Sequence, residues 1–113
     1  MSKLTRGEVW LADLDPVKGH EQAGKRPIVI LSVDRFNHSP AELIIVLPIS
    51  TKAKGIPSHV EVLAGEASLK YKCFIKCEDI RSISKQRLSS YIGSISAETL
   101  KKVEDRVRIL LGL

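Results

Sequence analysis

The chain has 113 residues, enough for one domain with a single core, and no linker, repeat or composition shift divides 1–113. Apolar residues make up 43% and charged residues 27%, the mix of a globular protein, and no apolar run approaches the roughly 20 residues of a membrane span. The net charge of +5 is spread over both halves, so it favours a polyanionic partner only if folding gathers it into a patch.

The opening Met1-Ser2-Lys3-Leu4-Thr5-Arg6 lacks the apolar stretch of a signal peptide, and a cytoplasmic location away from membranes is expected. Segments 8–14, 27–31 and 43–47 are short, β-branched and bounded by Pro, Gly, Asn or Ser, which predicts strands. Segment 59–63 alternates, as does 72–78, where Cys73, Ile75 and Cys77 share one face and Phe74, Lys76 and Glu78 the other. The two cysteines lie too far apart along a strand to bridge and lack a second ligand pair, so they read as buried thiols. After Cys77 the apolar phase slips to Ile80 and Ile83, which predicts a bulge or bend at Glu78-Asp79.

From 97 to 111 the period becomes helical, with Leu100, Val103, Val107, Leu110 and Leu111 on one stripe. Ser96 suits the N-cap, Glu98 the first turn and Gly112 the end. About five strands and one helix predict a mainly β fold, a small barrel-like sheet with a packed C-terminal helix. Two polar loops, 15–25 and 50–58, are long enough to carry binding chemistry.

The chain contains no P-loop, H-E-x-x-H or G-x-S-x-G motif, and His20, His38 and His59 are scattered without metal-ligand spacing. No metal or cofactor is therefore expected. What remains are polar residues at strand ends: His20, Glu21, Gln22, Lys25, Arg26, Ser50, Thr51, Lys76 and Glu78. Metal-free cleavage of RNA needs a base for the 2′-hydroxyl, donors for the crowded phosphorane and a proton for the leaving oxygen. A carboxylate or histidine suits the first, and a guanidinium with hydroxyls the second. The same residues also have bland roles: a surface ion pair for Arg26, turn bonding for Ser50 and Thr51, and a pair with Lys76 for Glu78.

Arg6-Gly7-Glu8-Val9-Trp10, Asp15-Pro16-Val17-Lys18-Gly19-His20-Glu21-Gln22-Ala23-Gly24-Lys25-Arg26-Pro27, Leu47-Pro48-Ile49-Ser50-Thr51 and Glu78-Asp79-Ile80-Arg81 occur in the order found in one family. The chain resembles the MazF/PemK toxins of toxin–antitoxin systems over nearly its whole length. That resemblance implies an SH3-like antiparallel barrel with a C-terminal helix, usually a homodimer. It also implies sequence-specific cleavage of single-stranded RNA to a 2′,3′-cyclic phosphate and a 5′-hydroxyl. A cognate antitoxin, through which DNA is bound, would neutralise the activity.

Arg26 falls on the family's catalytic arginine. The family's catalytic threonine corresponds to Ser50, with Thr51 next to it. Some relatives carry Arg-Cys-Asp where this chain has Lys76-Cys77-Glu78, which makes Glu78 a candidate base, and His20 matches a residue implicated in others. Glu21 and Gln22 are expected to shape the loop and contact bases, and Lys25, Lys52, Lys54 and Lys76 to contact phosphates. Two other functions are compatible with such a barrel: a CcdB-like poison directed at gyrase, and a non-catalytic RNA- or peptide-binding module.

Overall fold

The computed structural model describes residues 4–14 and 24–113. Its organising element is β3 (Leu43–Ser50), preceded by β1 (Glu8–Asp13), β2 (Lys25–Ile30) and the single turn α1 (Asp34–Asn37). Ile44 and Val46 enter one core and Leu47 and Ile49 another, so β3 is apolar on both faces and must be covered on both. β2 divides in the same way, Ile28 and Ile30 on one side and Val29 on the other.

β4 (His59–Val62), β5 (Cys73–Lys76), β6 (Arg81–Ser84) and β7 (Leu88–Ser94) complete an antiparallel sheet of order β4-β5-β3-β2-β1-β7, with β6 also paired to β3. Among the described residues β4 and β7 share no ladder, so this path is open in its hydrogen bonding. Packing bridges the gap. The turn Glu66–Ser68 after β4 presses on β7 so closely that a Cβ on Gly93 would lie 2.6 Å from the Ala67 backbone. Glu66 also accepts a hydrogen bond from the Ser96 N–H. The expected barrel-like sheet is thus completed by side-on contact and not by a closing ladder.

α2 (Ala97–Leu111) begins on the Ser96 hydroxyl, which accepts from Thr99 N–H at 3.1 Å, and stops at Gly112 in the left-handed region at φ 70°. It buries Val103 and Val107 in the core that also holds Val9, Ile75 and both cysteines, which are free buried thiols. The opposite face of the sheet packs Leu4, Ala12, Leu14, Ile28, Ile30, Ile44, Val46 and Ile83, with Trp10 at its margin. No described helix is long and apolar enough to cross a membrane.

β5 and β6 lie end to end along one edge of β3. Ile49 faces Ile75 and Val46 faces Arg81. Had the first register continued, Val46 would face Glu78, so three residues are inserted, and they form the turn Cys77–Asp79. The predicted phase slip is this insertion. It lifts Glu78 out of the ladder, where strand geometry no longer sets its direction.

Candidate active site

Strand alternation sets the stage on the sheet face turned away from α2. The β2–β3 ladder ends with Ile28 facing Pro48, and Arg26 and Ser50 each lie two residues beyond that pair, on the same face by strand alternation. Ser50 in turn faces Phe74 on β5, and Phe74 faces Glu61 on β4. One rung therefore carries Ser50, Phe74 and Glu61, with Arg26 just past the end of the β2–β3 ladder. The next rung inward pairs His59 with Lys76. The face that buries Ile28 and Ile30 thus turns polar at the very end of β2 and β3.

Arg26 is exposed and makes no side-chain hydrogen bond or ion pair among the described residues. The half-buried Ser50 accepts a hydrogen bond from Lys52 N–H at 3.1 Å, the turn role open to a strand-end serine. Accepting one bond leaves the hydroxyl hydrogen able to donate. Thr51 is exposed at the start of the connection to β4, and Lys25, Lys52 and Lys54 are exposed around the same strand ends. Lys76 differs: it is buried, and its ammonium pairs with Asp79 at 2.8 Å. The ion pair considered between Lys76 and Glu78 is replaced by this one. His20, Glu21 and Gln22 lie outside the described residues.

Glu78 belongs to a second cluster. Its Oε1 accepts from the Ser58 hydroxyl at 2.7 Å, and its Oε2 contacts His59 Nε2 at 2.8 Å. Desolvation pushes the carboxyl up, but the bonds from Ser58, from its own backbone N–H and from His59 outweigh it, leaving Glu78 below the ordinary glutamate value. Because an ionised carboxylate only accepts, Nε2 must carry the proton of this contact. The His59 ring lies 6.5 Å from Phe74 between centroids, so the second cluster joins the Ser50 rung through Phe74.

Ser58 and His59 lie in the family-like segment 54–60, but nothing in the sequence assigned either a role in the site. The alternation of 59–62 puts His59 and Glu61 on the outer face, but their meeting with Glu78 spans 19 residues and depends on the β4–β5 register. Burial raises both thiols, Cys77 to about 11, which marks them as packing groups and not as nucleophiles. Among the described residues no three His, Cys, Asp or Glu side chains stand together as a metal site.

The profile described as PemK-like, MazF-like toxin of type II toxin–antitoxin system matches residues 5–111. An Endoribonuclease MazF of Staphylococcus saprophyticus is 37% identical over 111 residues, covering 97% of this chain and 92% of the relative. The crystal structure of MazF (Form-I) from Deinococcus radiodurans superposes with a TM-score of 0.88 at 25% identity, covering 100% of both chains. The MazE–MazF crystal structure (Form-II) from the same organism gives a TM-score of 0.82 at 25% identity, covering 100% of this chain and 99% of the other. Taken with the sheet, the terminal helix and the strand-end motifs, these matches place the chain in the PemK-like, MazF-like toxin family of type II toxin–antitoxin systems.

Proposed function

We propose that this chain is the ribonuclease of a toxin–antitoxin pair, cutting single-stranded RNA at specific sequences by attack of the RNA's own 2′-hydroxyl. The carrying observation is that Arg26 and Ser50 both lie two residues beyond the Ile28–Pro48 pair, at the ends of β2 and β3: an exposed guanidinium without a side-chain partner among the described residues, and a strand-end hydroxyl. A guanidinium offers paired donors to two phosphate oxygens, and those donors gain most from the charge of the phosphorane. Ser50 or Thr51 adds a hydroxyl donor from the neighbouring strand. The named activity of the staphylococcal relative points the same way.

In this reading a base takes the 2′-hydroxyl proton, the O2′–P bond forms, the P–O5′ bond breaks, and an acid returns a proton to O5′. The products are a 2′,3′-cyclic phosphate and a 5′-hydroxyl. Glu78 is the base among the described residues: Ser58, His59 and its own backbone N–H occupy three of its four lone-pair sites, and one remains. His20 is the second candidate for proton transfer. Lys25, Lys52 and Lys54 would receive flanking phosphates, Glu21 and Gln22 the bases, and Lys76 would set the charge behind Phe74. No metal or cofactor enters these steps.

Neutralisation by a cognate antitoxin follows from the family and is supported by the MazE–MazF structure. A cytoplasmic homodimer is the working form proposed here. The test is incubation of the purified protein with a defined RNA in excess EDTA, followed by analysis of the new ends. Cleavage with a cyclic phosphate is expected. Strict dependence on added divalent metal, or binding without cleavage, would overturn the reading.

A further inference from the structure

We propose that His59 is the positioning residue of Glu78, fixing the plane of its carboxylate from the start of β4. The inference rests on Glu78 as the general base and adds what holds it in place. Glu78 sits in the three-residue insertion between β5 and β6, the interruption of the ladder along that edge of β3. Inside the turn only its own backbone N–H bonds the carboxylate, so the rest of its direction comes from outside. One bond from Ser58 to Oε1 would leave the carboxylate free to swing about it. A second bond, from His59 to the other oxygen, Oε2, fixes the plane.

The ring is built for this contact. Its side chain is 4% exposed, and β4 is held to β5 with His59 facing Lys76. Nδ1 is buried with no partner among the described residues, so Glu78 is the ring's one polar anchor there. A histidine kept for packing alone would leave both ring nitrogens without a partner.

The charges around Glu78 are few. Within and before its own turn, Asp79 is paired with Lys76 and Cys77 is a buried thiol. From α2 comes Arg106, whose Nε donates to the Pro57 carbonyl at 3.1 Å. β4 adds His59 and, further out, Glu61, and β3 brings no ionisable side chain.

The experiment compares His59→Ala, His59→Gln and His59→Asn, reading kcat, KM and the pH profile of RNA cleavage. The carboxylate titration of Glu78 is followed by carbon NMR, and circular dichroism checks the fold. A glutamine amide reaches as far as Nε2, an asparagine amide only as far as Nδ1. Alanine should lower kcat about tenfold or more with KM little changed, and move the acidic limb to higher pH. Glutamine should restore most of kcat and asparagine should not. In His59→Ala the Glu78 midpoint should rise. Wild-type kcat with an unmoved midpoint in His59→Ala, or equal behaviour of glutamine and asparagine, overturns the inference. Glu78→Gln separates the two layers: if it cuts normally, the base assignment falls, while the Glu78 midpoint still reads the anchoring. If Glu78→Gln is inactive and His59→Ala is normal, the role of His59 falls alone.

Discussion

Arg26 and Glu78 belong to two polar clusters and are held in opposite ways. Arg26 lies within the β1–β2 ladder, its backbone paired with Ala12, while its guanidinium is exposed and has no side-chain partner among the described residues. Glu78 lies where a ladder is interrupted, its backbone in a short turn, and its two carboxylate oxygens are engaged by Ser58, just before β4, and by His59, its first residue. A group that must grip an incoming phosphate keeps its donors free, at little cost while water hydrates them. A group that must arrive in one protonation state and one orientation is tied down beforehand. Rigid backbone with a free side chain, and a turn with a tethered side chain, are two routes to preorganisation.

The sharpest break of that contrast is Arg26→Ala. Cleavage should fall about 10²- to 10³-fold, the usual loss for one preorganised donor at a developing anion, with unchanged circular dichroism. Arg26→Lys should recover little, because paired donors become one point charge. Near-normal rates in either variant would remove Arg26 from the chemistry.

The neighbouring position on the same strand face should show the reverse. Ile28 is fully buried, so Ile28→Ala should cost about 2–5 kcal/mol in denaturant melts. Arg26→Ala should stay within about 0.5 kcal/mol of the parent. If the two substitutions destabilised alike, the boundary between the core and the site would not fall between these residues.

Ser50→Ala and Thr51→Ala, alone and combined, assign the hydroxyl. Ser50, within β3, is expected to carry the larger loss, and normal cutting by the double variant would exclude both. A smaller effect tests the tether. Glu78 titrates below its ordinary value of 4.5, so its ionised form stabilises the fold above that value, and the contribution is lost as pH falls through the folded value. Acidification should therefore narrow the gap in Tm between the parent and Glu78→Gln. A gap that widens would mean that the bonds from Ser58 and His59 do not favour the carboxylate.

Elements with a strong local signal were legible in the chain. α2 spans 97–111 as its stripe, its serine cap and its terminal glycine predict. β6 and β7 were not singled out, because Arg81-Ser82-Ile83-Ser84 and Leu88-Ser89-Ser90-Tyr91 carry little apolar alternation; their pairing with β3 and β1 defines them. β3 runs on through Pro48 to Ser50, beyond the predicted end at 47, because its neighbours supply register where propensity is weak.

The site divides similarly. Family resemblance named Arg26, Ser50 and Glu78, but only the strand register brings the ends of β2 and β3, with Arg26 and Ser50, to one face. The contacts of Ser58 and His59 with Glu78 arise from the insertion after β5. Its presence was readable from the slip at Ile80 and Ile83, but its direction was not.

The most direct test of the account concerns the nucleophile. An RNA with a single 2′-deoxynucleotide just 5′ of the scissile phosphate keeps its charge and base edges, and should bind about as well as the parent. It should resist cutting, because the attacking oxygen is gone, while a single 2′-deoxy elsewhere should matter far less unless that hydroxyl is itself a contact. Efficient cleavage of the substituted RNA, or a product bearing a 5′-phosphate, would contradict the account and point to an activated water instead.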